Sequence, residues 1–161
     1  MEKYVKSFAN FAGMTKFIGE YRAKIDDKGR LVFPSAFKAV MDSSRPLTLV
    51  VKKDLFAPCL DIYTEEEWER QSEAVRSRLN SFNREHDAFW RGYMRNRATA
   101  VPDGKLGRIS IPRQMLDDIG VEKEVVFAGN DYKIELWARE KYEASAIGSD
   151  EFTALAEKIL G

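Results

Sequence analysis

Two arginines each stand directly after a glycine, inside matching stretches of the chain. Asp26-Asp27-Lys28-Gly29-Arg30-Leu31-Val32-Phe33-Pro34 leads into a short helical stretch over 35–41. Gly104-Lys105-Leu106-Gly107-Arg108-Ile109-Ser110-Ile111-Pro112 leads into another over 113–119, which Gly120 ends. A guanidinium is a planar fork of donors, suited to carboxylates, phosphates and the acceptor edges of bases. Lys28 and Lys105 add charge beside each arginine. Asp26 lies four residues before Arg30, so its carboxylate could hold that guanidinium across the turn. Alignment on Gly-Arg puts Gly104 where Asp26 sits, and Asp103 falls one residue too early. An Asp–Arg clasp is therefore expected in the first turn and left open in the second.

Other chemistry finds few candidates. One histidine, His86, sits between Glu85 and Asp87 in a charged helical segment, a setting for a surface or partly packed imidazole. The one cysteine, Cys59, precedes an apolar strand, where a free thiol behaves as a small hydrophobe. It can form neither an internal disulfide nor a zinc cluster. The pairs Asp26-Asp27 and Asp117-Asp118 point apart, because sequence neighbours diverge, so a shared metal is not expected. The sequence carries neither a GxxxxGK[ST] nor a GxGxxG phosphate loop. The reading is of no catalytic set, no metal, no cofactor and no small-molecule substrate.

The elements that carry the arginines repeat. Downstream of each Gly-Arg block, Leu60-Asp61-Ile62-Tyr63 runs into Thr64-Glu65-Glu66-Glu67-Trp68, and Ile134-Glu135-Leu136-Trp137 runs into Ala138-Arg139-Glu140-Lys141-Tyr142. Two pattern blocks in the same order indicate a duplication. Tyr21, Ala23 and Ile25 alternate with Glu20, Arg22 and Lys24, as in a half-buried strand, so Arg22 and Lys24 project from one face. Gly29 is expected at positive φ, making 19–33 a hairpin. Pro34 and Pro112 stop strands and can start helices. Leu47–Val51 and Val125–Ala128 read as further strands. Thr64 with Glu67 is a capping-box pattern, and Trp68, Val75, Leu79 and Phe82 mark one helical stripe. Asn83 can cap a second helix carrying Phe89, Trp90 and Tyr93, and a final helix is expected over 149–160.

Formal net charge is zero, but its distribution is uneven. Residues 16–38 carry six Lys/Arg against three Asp/Glu, and residues 84–113 carry seven against three. Residues 114–161 carry five against eleven. A neutral chain can thus present basic patches to phosphates. A ribbon tip bearing Lys and Arg fits the DNA major groove as a helix does. No apolar run approaches the ~20 residues of a membrane helix, and the N-terminus lacks a secretory pattern. A reducing cytoplasmic location is expected.

FIGEYRAKIDDKGRLVFPSAFK and the later GRISIP…VVFAGNDYKIELW closely resemble the MraZ family, whose halves are each similar to the AbrB/SpoVT module. The resemblance covers about residues 17–145 and implies an α+β, β-rich fold. That fold is a pseudo-twofold swapped-hairpin, or double-split, β-barrel in which each half completes the other, with connecting and C-terminal helices. It divides the chain into a leader over 1–15, usually lacking in the family and expected to be disordered, a first module over 17–67, connecting helices over 68–94, a second module over 95–142 and a C-terminal helix over 143–161. It implies a nucleoid-associated transcriptional regulator that assembles as ring-shaped homo-oligomers. Such a regulator binds double-stranded DNA at short direct repeats upstream of a cell-division and cell-wall gene cluster. The family's motif arginines fall on Arg30 and Arg108 and its first motif aspartate on Asp26. The expected DNA contacts are Arg30, Arg108, Lys28, Lys105, Arg22 and Lys24, supported by Asp26, Gly29 and Gly107. The alternative is a protein-interaction or antitoxin-like module on the same barrel, docking a basic partner through its acidic C-terminal third.

Overall fold

The computed structural model describes residues 15–41, 44 and 46–161. The leader expected over 1–15 lies outside the described residues except for Thr15. Among the described residues the strands are β1 (Glu20–Lys24), β2 (Arg30–Val32), β3 (Leu49–Lys53), β4 (Leu60–Thr64), β5 (Arg97–Ala100), β6 (Arg108–Ser110), β7 (Glu124–Asn130) and β8 (Lys133–Ala138). The helices are α1 (Ser35–Ala39), α2 (Glu65–Arg76), α3 (Arg84–Met94), α4 (Arg113–Asp118), α5 (Arg139–Ala144) and α6 (Ser149–Leu160).

Two antiparallel sheets result. One has six strands in the order β1-β7-β8-β4-β3-β5, and β2 with β6 forms a separate ribbon. The order is palindromic in kind: each half's hairpin, β3-β4 or β7-β8, takes its outer neighbour from the other half. β1 pairs with β7 over five residue pairs, and β5 pairs with β3 over four. The fold is thus mixed α+β with strands exchanged between halves. Strand pairing does not close the two sheets into a barrel; β1 and β5 are the sheet's edges.

The expected hairpin over 19–33 does not form as such. Its turn is present, with Gly29 N–H donating to Asp26 O at 3.0 Å and Asp26 N–H to Arg30 O at 2.9 Å. Beyond it the strands part. β7 offers β1 a five-pair register, whereas β2 has only three residues before the Phe33-Pro34 step, where proline has no N–H for a ladder. β2 instead pairs with β6, Leu31 opposite Ile109.

Alternation sorts the side chains. Leu49, Val51, Leu60, Ile62, Val125, Phe127, Ile134 and Leu136 face inward and pack with Leu31 and Ile109 of the ribbon in one core. Phe33 and Phe127 meet edge-on at 6.0 Å, as do Phe17 and Phe37 at 5.5 Å. On the sheet's other face Val50 and Tyr63 pack against Trp68 of α2 and Tyr93 of α3. Thr64 caps α2 by accepting from Glu67 N–H at 3.2 Å, and Asn83 caps α3 by accepting from Glu85 and His86 N–H. Gly120, at φ +75°, ends the α4 segment as expected. The stripe expected to run to Phe82 stops at Val75. The α2 helix ends at Arg76, and Asn80 N–H turns back to donate to His86 Nδ1 at 2.8 Å, leaving Phe82 96% exposed. Among the described residues no helix is long and apolar enough to cross a membrane.

Ile109 is fully buried at the centre of the ribbon, while Val32 on the same ribbon is exposed. Ile109→Ala is expected to lower unfolding stability in urea by about 2–5 kcal/mol, from lost burial and the cavity left behind. Val32→Ala should change it by less than ~1 kcal/mol. Equal effects would mean that the ribbon does not seal the core.

Candidate nucleic-acid interface

The ribbon that covers the core with Leu31 and Ile109 must show its alternate residues outward. Those are Arg30 and Val32 from β2, with Arg108 and Ser110 from β6. Register places Arg30 opposite Ser110 and Arg108 opposite Val32, so the two arginines are diagonal neighbours on one face. Their side chains keep 36% and 38% of their surface open.

Asp26 holds them there. One of its oxygens accepts from Lys28 N–H at 2.9 Å and Arg30 N–H at 2.8 Å, closing a side-chain turn around the tip. The other accepts from Arg30 Nε at 2.9 Å, and Arg108 Nε lies 3.9 Å from that same oxygen. The N–H of Arg30 holds the Asp26 carboxyl below the usual carboxylate range against the opposing effect of burial, helped by the Arg30 guanidinium and the Lys28 N–H. The clasp expected within the first turn is present, and it reaches across to the second turn's arginine.

The second turn is built differently. Asp103 and Arg108 bond each other through the backbone, each N–H to the other's carbonyl at 2.8 Å. The Asp103 carboxylate accepts from Gly104 N–H at 2.9 Å. Its question of an internal clasp is answered by Asp26, which stands where no partner within the turn does. Gly29 at φ +76°, Gly104 at +74° and Gly107 at +68° adopt the left-handed backbone these tips require. Phe33 N–H donates to Gly107 O at 2.9 Å, tying one tip to the other's strand.

Lys28 and Lys105 are exposed at the two turns. Arg22 and Lys24 are not brought into this group. Both are exposed on β1, on the sheet face opposite the core; Arg22 lies 3.5 Å from Glu143 of α5, and both flank Glu124, which pairs with Arg139. Sequence reasoning missed Thr99, Val101 and Ser110, which line the depression around the two arginines. It also missed Lys38, whose Nζ lies 3.8 Å from the Cβ position that Gly107 lacks. No local signal could have found them, since β5, β6 and α1 meet only through long-range packing.

Fold and face together define an α+β protein that presents two arginine tips, one from each half, on a single open ribbon. A family model described as "MraZ protein, putative antitoxin-like" matches residues 16–92 and 96–159. The chain is 36% identical over 147 residues to Transcriptional regulator MraZ of Bacteroides fragilis, covering 91% of this chain and 92% of that protein. It is 33% identical over 147 residues to the protein of the same name from Bacteroides thetaiotaomicron, covering 91% and 94%. It is 34% identical over 149 residues to that of Christiangramia forsetii, covering 92% and 95%. The chain belongs to the MraZ family.

The backbone of the tips can be tested apart from any ligand. Gly29→Ala and Gly107→Ala force an L side chain into the left-handed region and should each cost about 1–2 kcal/mol. Gly92→Ala, in α3 with open space around it, should stabilise by up to ~1 kcal/mol. Urea unfolding of the three variants measures the contrast, and a neutral Gly29→Ala would show that the tip conformation is not required.

Proposed function

We propose that this chain is a DNA-binding transcriptional regulator, as the names of its relatives suggest for the family. The observation that carries the reading is the convergence of Arg30 and Arg108 on one Asp26 oxygen, on the outward face of a two-stranded ribbon. A ribbon of this kind fits the major groove, where a bidentate arginine reads guanine O6 and N7. Asp26 sets the pose of the fork before DNA arrives, which lowers the ordering cost of binding. Lys28 and Lys105 supply phosphate contacts at the tips. Arg22 and Lys24, beside Glu124 and Glu143, are set apart from the base-reading group. The two modules over 17–67 and 95–142 act as one reader within a double-split framework, joined by residues 68–94. Several chains in a ring engage short direct repeats upstream of their own gene, within a cell-division and cell-wall gene cluster, in the cytoplasm at the nucleoid. Each modest site gains from simultaneous engagement.

The test is a gel shift against DNA from directly upstream of the gene, with salt varied. Log affinity should fall linearly with log salt, by about 0.9 for each phosphate neutralised. Arg30→Ala should cost about 1–3 kcal/mol, roughly 5- to 150-fold, and relax the preference for one base. Lys28→Ala should weaken all sequences alike and flatten the salt slope by about one. Arg22→Ala should leave affinity unchanged. A flat salt dependence, or an Arg30→Ala protein that binds as the parent does, would sink the reading.

A further inference from the structure

Far from the arginine ribbon, the outer face of the six-stranded sheet buries a charge cluster at the join between the two halves. The halves' hairpins meet directly in this sheet through β4 and β8, with Leu60 opposite Leu136, Asp61 opposite Glu135 and Ile62 opposite Ile134. The middle pair is two acids. Like charges directly opposite on neighbouring strands repel, the more so away from water. Asp61 is 95% buried, and no hydrogen bond of acceptable geometry reaches its Oδ1.

The surrounding groups do not cancel the charge. Lys133 of β8 places its Nζ 3.1 Å from Asp61, 3.2 Å from Asp54 and 3.7 Å from Glu135. Lys52 of β3 stands opposite Asp61 in register, but its Nζ sits 4.2 Å above the Tyr93 ring of α3. Tyr63 OH donates to Asp61 Oδ2 at 3.3 Å, and the neutral thiol of Cys59 completes the pocket. Arg97 of β5 lies beyond Lys52. Among the described residues, three carboxylates thus face Lys133 and a Lys52 turned to a ring, while the Lys53 ammonium is taken up by the carbonyls of Asp54 and Ala57. The ammonium of Lys133 lies within 3.7 Å of all three carboxylates, so one positive charge stands directly among three acids in a buried setting, where a proton on one of them relieves the repulsion.

We propose that this buried carboxylate cluster, with oxygens of Asp54, Asp61 and Glu135 all within 4.8 Å of one another, shares a proton at the join of the two halves, and that losing it loosens the β4–β8 pairing, so that stability falls as pH rises. Burial, with the Asp54 carboxyl alongside, pushes Asp61 up to about 7. Against burial that would raise it, the neighbouring Asp61 carboxyl, the N–H groups of Ala57 and Phe56 and the Lys133 ammonium hold Asp54 well below the carboxylate range. The direction of the effect follows. An acid that keeps its proton longer folded than unfolded adds stability that is complete below its ordinary value of 3.8 and is lost as pH rises through about 7. Asp54, depressed, works the other way and far below this window.

Thermal unfolding of the full chain at pH 6 and pH 8.5, at fixed ionic strength, tests the proposal. The parent should lose about 3–5 °C more between these values than Asp61→Asn, whose amide cannot ionise. A parent with no loss, or an equal loss in the variant, overturns it. Should Asp61→Asn not fold, difference infrared spectroscopy of the parent decides. A protonated carboxylic acid band present at pH 6 and absent at pH 8.5 supports the shared proton, and its absence at pH 6 overturns it.

Discussion

Strands of three residues do not persist alone, because so few ladder hydrogen bonds cannot offset the chain entropy they fix. β2 and β6 are both of that length, and each exists because the other lies beside it. Leu31 and Ile109 lock the pairing by burying their side chains on one face. Period-2 geometry then leaves no choice for their neighbours: Arg30 and Arg108 must face out. Exchange of β1 and β5 between the hairpins carries the two tips to the same place. The outward arginine face depends on this ribbon.

The two faces of the molecule handle charge in opposite ways. On the ribbon, Asp26 and the arginines are each about one-third exposed, so water screens them and the carboxylate's task is orientation rather than stability. On the outer sheet face Asp61, Lys52 and Glu67 are buried, and each must be answered by a partner. Glu67 accepts from Arg70 and Gln71, Lys52 lies on an aromatic ring, and Asp61 shares Lys133 with two other acids. Orientation at an open face tolerates substitution. Compensation in a buried one does not.

Much of the local structure was legible from residue types. Thr64 and Asn83 cap the helices they were expected to cap, Gly120 closes the α4 segment, and 149–160 is the final helix. These are contacts between residues two to four apart, where side-chain chemistry and spacing suffice. The failures are of another kind. The residue types at 26–30 predict a turn joining two paired strands, yet those strands take partners about a hundred residues away and some eighty away. The apolar spacing predicts one stripe through Leu79 and Phe82, though the helix ends at Arg76. Arg22 and Lys24 share a face of β1 as their alternation predicts, and only packing sets Glu143 of α5 beside it.

Residue order alone therefore settled which segments turn, which alternate, where helices begin, and that two Gly-Arg tips carry positive charge on glycine-dependent backbone. Short-range sterics and hydrogen bonding act at fixed sequence separation, so they can be read along the chain. That both tips share Asp26, that Lys38 joins them, and that Asp61 meets Glu135 were settled by packing. Those encounters depend on which strand edges find each other, and hydrophobic burial, having no preferred sequence distance, selects among them only in the folded molecule.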